Sequence, residues 1–219
     1  MIREEITQRL VEAGAVAIFR TRQRHPLQPA AEALAQGGIT AFEVTLTTPG
    51  ALEAIAHLAD VFMPDILIGA GSVVTADQVS SVASAGASFV VSPVARPEII
   101  RAAHDRGLPV MPGVFTPTEA DAAQALGADL LKVFPAGFLG PKYISALRAP
   151  MPHLRLVPTG GVRPDNAHIW MRAGATAVGI GSALADERTI LNGDLATLTA
   201  RARTLMLNID KGKQQERKP

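Results

Sequence analysis

The sequence predicts a (β/α)8 TIM barrel preceded by one extra helix, and three observations support this fold class. At 219 residues the chain has the length of one such barrel, which is about 200 to 250 residues. Hydrophobic residues make up 47% but aromatic residues only 4%, so the core must consist of the aliphatic side chains that are typical of buried parallel strands. The third observation is a repeated order of apolar run, turn and helix.

The repeat begins after an amphipathic helix. Apolar residues at helical spacing from Ile2 to Ala13, followed by Gly14, predict this extra helix, which is expected to close one end of the barrel. Later helices are expected to begin at prolines, where a missing N–H costs nothing. These prolines are Pro49, Pro97, Pro117, Pro141 and Pro164. The strands are expected at residues 15–20, 41–46, 66–71, 88–93, 109–114, 129–135, 155–159 and 176–181.

Eight such units can also form an open, doubly wound sheet, and periodicity does not separate the two topologies. The shortness of every unit and the lack of a Gly-x-Gly-x-x-Gly pattern after the first strand favour the barrel. Because no linker divides the chain, residues 1–210 are expected to form a single domain. The polar residues 211–219 are expected to be a disordered tail.

Composition narrows the functional classes. The chain has no cysteine, which excludes disulfides, thiolate metal sites and a cysteine nucleophile. The formal net charge is +1, no basic cluster contains aromatic residues, and no apolar run is long enough for a membrane span, so neither nucleic acid nor membrane is an expected partner. The histidines fall in predicted helices or loops, so no metal site is expected. The N-terminus does not resemble a signal peptide, and we expect a cytoplasmic protein.

One lysine lies inside a predicted strand. Residues 130–135 form an apolar run that Lys132 interrupts, and the other lysine before residue 211 is Lys142. Loss of hydration in a strand disfavours the ammonium form and leaves an amine that can form a Schiff base. The alternative is a structural lysine whose stem is buried and whose head reaches the strand end.

The other charged residues of the predicted strands differ in whether they lie within a strand, at its end or at its beginning. Glu43 and Thr45 share one face of the second strand, because side chains alternate with a period of two. A carboxylate near a lysine can transfer protons during imine formation and carbon–carbon cleavage, or can form a purely structural ion pair. Arg20 ends the first strand, where a guanidinium can hold a substrate carboxylate. Asp65 and Asp129 begin strands at the opposite end and are expected to be structural.

Glycine-rich turns end the last two predicted strands. Residues 158–162 read Pro-Thr-Gly-Gly-Val, and residues 179–184 read Gly-Ile-Gly-Ser-Ala-Leu. Glycines let backbone N–H groups approach an anion, and the turns after strands seven and eight are the usual phosphate site of barrels. The two turns together predict phosphate binding.

These motifs together resemble the 2-keto-3-deoxy-6-phosphogluconate (KDPG) aldolase family. The resemblance runs from about residue 15 to residue 205, with its elements in order at the strand ends. They are Arg20, Glu-Val-Thr-Leu at 43–46, Ile-Gly-Ala-Gly-Ser-Val at 68–73, Val-Ser-Pro at 91–93, Met-Pro-Gly-Val at 111–114, Leu-Lys-Val-Phe-Pro at 131–135 and the turns at 158–162 and 181–184.

The resemblance implies a class I aldolase, a homotrimer without a cofactor, that reversibly cleaves KDPG to pyruvate and glyceraldehyde 3-phosphate. Lys132 matches the Schiff-base lysine and Glu43 the general acid–base. The resemblance also implies the binding residues, which are Arg20, Ser72, Pro93 and Phe134 for the pyruvyl half and Gly160, Gly161, Gly181 and Ser182 for the phosphate.

Three positions bear on the choice of substrate. Thr47, counted with the substrate-binding residues, stands where some family members carry arginine, so carboxylate recognition is expected to rely more on Arg20. Ser72 keeps the hydroxyl of the threonine found in many relatives. The hydroxyl of Thr159 can hydrogen-bond one configuration of the substrate, whereas the resemblance suggests that galactonate-specific relatives are apolar there. We therefore expect a preference for the gluconate isomer.

Other activities stay open at this stage. Within the family, 2-keto-3-deoxy-6-phosphogalactonate and 4-hydroxy-2-oxoglutarate are alternative substrates. A sugar-phosphate isomerase or epimerase of the same fold would use Glu43 as base and Lys132 only for electrostatic help. A sensor of phosphorylated ligands would bind them without turnover, and imine trapping distinguishes both hypotheses from an aldolase.

Overall fold

Parallel strands alternate with helices in the computed structural model, which describes residues 1–216. The strands are β1 (Ala15–Phe19), β2 (Ala41–Thr45), β3 (Leu67–Gly71), β4 (Phe89–Val91), β5 (Val110–Met111), β6 (Gly113–Val114), β7 (Leu131–Val133), β8 (Leu156–Pro158) and β9 (Val178–Ile180). The α-helices are α1 (Arg3–Ala13), α2 (Gln28–Gln36), α3 (Ala51–Phe62), α4 (Ala76–Ser84), α5 (Pro97–His104), α6 (Pro117–Ala125), α7 (Pro141–Arg148), α8 (Ala167–Arg172), α9 (Glu187–Leu191) and α10 (Leu195–Glu216).

The strands pair in two parallel groups. Six pair in the order β5-β4-β3-β2-β1-β9 and three in the order β6-β7-β8. The predicted fifth strand is present as two pieces, β5 and β6, because Pro112 between them has no N–H to donate. Between β8 and β9, Thr159 and Gly179 form an isolated parallel bridge. The predicted α/β class with a curled parallel sheet is therefore confirmed.

Side chains of the strands alternate between two apolar clusters. Phe42 and Val44 belong to the larger cluster under the helices, whereas Ala41 belongs to a smaller one. The smaller cluster joins Ile6 and Leu10 of α1 to side chains of the strands, several of which, such as Ala41 and Leu67, begin a strand. We call this region, with its polar contacts, the closed end. The N-terminal helix packs across it.

Polar contacts hold the closed end together around Asp129. Its carboxylate accepts a hydrogen bond from the Val110 N–H at 2.9 Å and one from the Thr7 hydroxyl at 3.4 Å. His104 Nε2 lies 3.2 Å and Arg3 Nε 3.4 Å from its oxygens. Asp129 therefore ties α1 and α5 to β5.

Helix beginnings follow the proline signals in part. Three predicted prolines begin helices, namely Pro97, Pro117 and Pro141. After Pro49, however, Gly50 adopts a left-handed conformation (φ 75°), and α3 begins one residue later. After Pro164, the Asn166 side chain accepts a hydrogen bond from Arg163 N at 2.8 Å and so stabilises a turn ahead of α8. Within residues 1–216, every helix is too short or too polar to cross a bilayer.

The C-terminal boundary differs from the prediction. Residues 211–216, expected to be disordered, continue α10 as a helix. Gly212 is buried against α8, and Lys213 Nζ donates a hydrogen bond to Glu12 O at 3.3 Å. These contacts extend the helix because tertiary packing supplies more helical stability than the local propensity of a polar segment. The rest of the predicted tail, residues 217–219, lies outside the described residues.

Candidate active site

A cleft of about 340 Å³ opens where β1, β7, β8 and β9 end. Its walls include eight of the predicted site residues, which are Arg20, Lys132, Phe134, Thr159, Gly160, Gly161, Gly181 and Ser182. The opposite end of the same strands is covered by α1. The structure thus brings together the predicted nucleophile and both predicted phosphate turns.

Lys132 reaches the cleft because of its place in β7. Its neighbours Leu131 and Val133 point outward into the core under the helices, so Lys132 points inward. Only 6% of Lys132 is exposed, and its Nζ lies 5.2 Å from the centroid of the Phe134 ring, within the range of a cation–π contact. The stem is therefore buried while the amine opens into the cleft.

Glu43 is buried in β2 and does not line the cleft. Its carboxylate is 2% exposed, and among the described residues its Oε1 has no hydrogen-bond partner. The carboxylate packs against Gly71 of β3, where any β-carbon would overlap it. An unpaired buried carboxylate oxygen is costly, so it requires an explanation such as a catalytic role. Gly71 was missed by the sequence analysis, although an inward-facing glycine beside an inward-facing acid was a usable signal.

Three predicted binding residues do not line the cleft. Thr47 Oγ1 lies 3.0 Å from Thr45 Oγ1, and Thr47 borders a separate surface hollow. The Pro93 backbone packs against Gly113, where a β-carbon would overlap its carbonyl. Ser72, directly after β3, has φ 60° and is the non-glycine residue with a left-handed conformation among residues 1–216. Their roles as substrate contacts stay predictions.

The cleft is positively charged. Of the described residues that line it, the charged ones are Arg20, Lys132 and Arg163, and none is a carboxylate. Walls of one charge sign attract ligands of the opposite sign, so the cleft suits an anion. Sequence analysis missed Arg163, although its place two residues after the Gly160–Gly161 pair was a usable signal.

The turn after β9 is anchored by Asp186, the N-cap of α9. Its carboxylate accepts hydrogen bonds from Thr189 N at 3.0 Å, from Thr189 Oγ1 at 2.7 Å and from Arg201 Nη1 at 2.7 Å. Burial alone would raise the pKa of Asp186, but the hydrogen bonds from Thr189 and Arg201 outweigh it and lower the pKa to about 2. Asp186 is therefore charged at neutral pH and holds the segment that carries Ser182.

A family comparison agrees with this geometry. The family model described as KDPG and KHG aldolase matches residues 6–201, which is most of the chain. The chain belongs to this aldolase family. The family resemblance and the aldehyde-lyase class predicted from the sequence are thereby confirmed.

Relatives in the KDPG and KHG aldolase family include proteins of more than one specificity. A probable 2-dehydro-3-deoxy-6-phosphogalactonate aldolase of Rhizobium meliloti (strain 1021) is 40% identical over 175 residues, which cover 80% of this chain and 82% of the relative. A 2-dehydro-3-deoxy-phosphogluconate aldolase of Treponema pallidum (strain Nichols) is 38% identical over 197 residues, which cover 90% of this chain and 92% of the relative.

A solved structure of the family shows its covalent chemistry. The KDPG aldolase from Legionella pneumophila, with pyruvate captured at low pH as a covalent carbinolamine intermediate, matches this fold with a TM-score of 0.84. It is 32% identical in sequence, and the match covers 91% of this chain and 97% of that one. Carbinolamine formation is the step that precedes a Schiff base.

Proposed function

We propose that this enzyme is a class I aldolase that reversibly cleaves KDPG to pyruvate and glyceraldehyde 3-phosphate through a Schiff base on Lys132. The observation that carries the proposal is the position of this lysine, which is only 6% exposed and lines the cleft together with two arginines. A lysine amine that borders a cleft is placed to attack the carbonyl of a bound substrate. A surface lysine has no comparable environment.

The reaction follows from these groups. The Lys132 amine attacks the C2 carbonyl of the substrate, and loss of water gives a positively charged imine. A base takes the proton of the C4 hydroxyl, the C3–C4 bond breaks, and its electron pair moves into the imine as an enamine. Protonation of C3 and hydrolysis then release pyruvate. Glu43 is proposed to transfer these protons, because its buried Oε1 has no protein partner among the described residues.

We propose that the strands close into an eight-stranded barrel in which residues 1–210 form one domain, with α1 as the extra helix. The Thr159–Gly179 bridge between β8 and β9 and the short interruption at Pro112 support closure. In a closed ring of this order, β2 and β7 are four strands apart in either direction. Glu43 and Lys132 would then face each other across the interior, as proton transfer around an imine requires.

The two ends of the substrate are assigned from the cleft walls. Arg20 is proposed to bind the carboxylate of the pyruvyl half, with Phe134 against it. The assignment of Ser72 and Pro93 to the same half rests on the family resemblance alone. The phosphate is proposed to lie on the backbone N–H groups of the two glycine turns, the Gly160–Gly161 pair and the turn of Gly181 and Ser182. 4-Hydroxy-2-oxoglutarate has no phosphate, but the same turns can bind its second carboxylate, so it stays an alternative substrate.

Thr159 is proposed to select the gluconate isomer. Relatives of both specificities match this chain at 38% and 40% identity, so overall similarity does not choose between them. The Thr159 side chain lines the cleft and packs on Gly179, and its hydroxyl makes one long hydrogen bond, of 3.4 Å, to Val157 O. That hydroxyl has capacity left for a substrate hydroxyl in a single configuration.

A homotrimer is the proposed assembly. The family resemblance supports it, and so do large apolar side chains that the single chain leaves exposed, such as Phe138 (84%) and Leu207 (71%). Sedimentation velocity on the purified protein tests it, because a species of one or two chains at working concentration contradicts it.

Imine trapping tests the proposed function as a whole. Pyruvate and borohydride should add one reduced pyruvyl group to Lys132, identified by peptide mass spectrometry. Lys132→Arg should show neither adduct nor aldol cleavage, whereas Lys142→Arg, a change on the exposed face of α7, should behave as wild type. An adduct on Lys142, or none, contradicts the mechanism. Cleavage of KDPG without an adduct points to another catalytic route, and binding without turnover points to a sensor.

A further inference from the structure

We infer that Arg163 is a specificity-determining residue that binds the terminal phosphate and makes the cleft select phosphorylated over unphosphorylated 2-keto-3-deoxy sugar acids. This inference rests on the proposed function, since it assigns a partner for the phosphate of the proposed substrate. It adds a charged side chain to a site otherwise built from backbone N–H groups of glycine turns.

The location of Arg163 supports this role. It lines the same cleft as the Gly160–Gly161 pair and the turn of Gly181 and Ser182. The cleft then has an arginine for each end of the substrate, Arg20 for the carboxylate and Arg163 for the phosphate. Among the described residues no carboxylate lines the cleft itself, and the acidic neighbour of Arg163, Asp165, lies outside its walls. A ligand with an anionic group at both ends is therefore complementary to it.

The hydrogen bonds of Arg163 leave the two terminal nitrogens of its guanidinium group available for a ligand. Nε donates to Asp165 Oδ1 at 3.0 Å, which orients the guanidinium through one nitrogen. The hydrogen bonds within residues 1–216 do not engage Nη1 or Nη2, the pair that binds phosphate in bidentate fashion.

The backbone of Arg163 is tied to the phosphate turn. Arg163 N donates to Asn166 Oδ1 at 2.8 Å, and Asn166 Nδ2 donates to Gly161 O at 3.1 Å. The asparagine thus links the arginine to the glycine whose N–H is assigned to the phosphate. The glycine turn and the Arg163 side chain therefore border the same cleft from one connected loop.

Exposure sets the size of the expected effect. The side chains of Arg163 and Asp165 are 59% and 69% exposed, so the ion pair between them is weak. A phosphate dianion can therefore bind the guanidinium with little loss of free energy from this pair. A charge-assisted bidentate contact is stronger than a neutral one, but solvent screening reduces it here. We therefore expect loss of Arg163 to lower kcat/KM for the phosphorylated substrate by roughly 5- to 50-fold.

The test compares two substrates that differ only in the phosphate, KDPG and 2-keto-3-deoxygluconate. Arg163→Gln should lose the stated factor on KDPG through a raised KM, with kcat and the borohydride adduct on Lys132 nearly unchanged. Its kcat/KM on the unphosphorylated acid should equal that of wild type. Arg163→Lys should show an intermediate loss of kcat/KM on KDPG, since lysine keeps the positive charge but cannot form a bidentate contact. Arg172→Gln, which changes an exposed arginine of α8 away from the cleft, is the matched control.

The outcomes separate this inference from the proposed function. Equal losses on both substrates, or no loss on KDPG, would overturn the role of Arg163 while leaving the aldolase intact. If wild type cleaves neither acid and traps no imine, the proposed function fails. In that case the role of Arg163 is tested by its affinity for inorganic phosphate, measured by 31P NMR titration. Weaker binding to Arg163→Gln than to Arg172→Gln supports the site, and equal binding overturns it.

Discussion

The closed end and the cleft end of the strands differ in how their polar groups are paired. At the closed end, Asp129 has partners from two helices and a strand, and apolar side chains of α1 fill the space between the strands. At the cleft end, Glu43 keeps an oxygen without a partner within the described residues, and three cations line an open volume. Paired polar groups stabilise a fold, whereas unpaired ones are available to a ligand.

This difference shows how one sheet divides its tasks. Under the proposed mechanism the strand ends carry the chemistry and the strand beginnings stabilise the fold, which is the division found in (β/α)8 barrels. Changes at the closed end should therefore alter mainly stability, and changes to Glu43 or to the residues that line the cleft should alter mainly the reaction. The following substitutions test this division, beginning with the largest expected effect.

The largest effect is expected from Glu43→Gln. The amide keeps the shape of the side chain beside Gly71 but removes the base, so turnover should fall by roughly 10²- to 10⁴-fold. Some imine formation with pyruvate should survive, and the melting temperature should not fall. Steady-state kinetics and calorimetry measure the two quantities. A near-normal rate would leave Glu43 with a structural role only.

The converse effect is expected at the closed end from Asp129→Ala. This change leaves the Val110 N–H without its acceptor and removes the carboxylate beside Arg3 and His104, which should cost about 3 kcal/mol of unfolding free energy. The melting temperature should fall by roughly 6 to 12 °C. Turnover at 25 °C should stay within about twofold of wild type, because the site is at the other end.

Asp65→Ala is the matched control for this loss. Asp65 lies at the same end, precedes β3 and is exposed, so its removal should change stability by less than about 0.5 kcal/mol. Loss of activity in folded Asp129→Ala, measured at a temperature where both variants are native, would contradict the division between the ends.

A smaller effect, on specificity, is expected from Thr159→Val. If the Thr159 hydroxyl pairs with the substrate, its loss should reduce the preference for the gluconate over the galactonate 6-phosphate by about 1 to 3 kcal/mol, or roughly 5- to 150-fold. The measurement is kcat/KM for both compounds, with Thr204→Val on the outer helix α10 as control. Equal wild-type values, or a preference that the substitution does not change, would remove Thr159 as the selector.

The smallest effect is expected from Asp186→Asn and depends on pH. The pKa of Asp186 in the folded protein, about 2, lies below its ordinary value of 3.8, so the charged carboxylate stabilises the fold above about pH 4. That contribution is lost as the pH falls through 2. The side chains of Asp186 and Arg201 are each about one third exposed, so solvent screening weakens their ion pair. The free energy of unfolding of Asp186→Asn should therefore lie about 1 kcal/mol below that of wild type at pH 7.

Urea unfolding at several pH values measures this difference. The gap between wild type and Asp186→Asn should be constant from pH 7 to pH 5 and close between pH 4 and pH 2. Asp210→Asn, on the exposed face of α10, should show no such gap. A gap that widens in acid would reverse the assigned sign.

The elements and the inward faces were largely predictable from sequence, because they depend on local spacing. Alternation within β2 separated Glu43 from Phe42 and Val44, and the apolar clusters confirm that separation. Thr116 and Glu119 at the start of α6 form the capping contacts that such a pair favours.

Only the tertiary structure shows which residues from distant segments of the chain lie next to each other. Arg163 lines the cleft while Thr47 borders another hollow, although both follow strand ends. Gly71 lies against Glu43 because β2 and β3 pair in one particular register. Packing of Gly212 against α8 made the C-terminal helix longer than its composition predicts.

The sequence by itself therefore determined which residues are buried in strands and which side of each strand they occupy, and it predicted which turns bind an anion. These properties depend on backbone conformation and side-chain period, which neighbours along the chain set. Only the tertiary structure decided which side chains from separate turns share one cleft. That outcome depends on strand register and loop course, which arise from the packing of the whole chain.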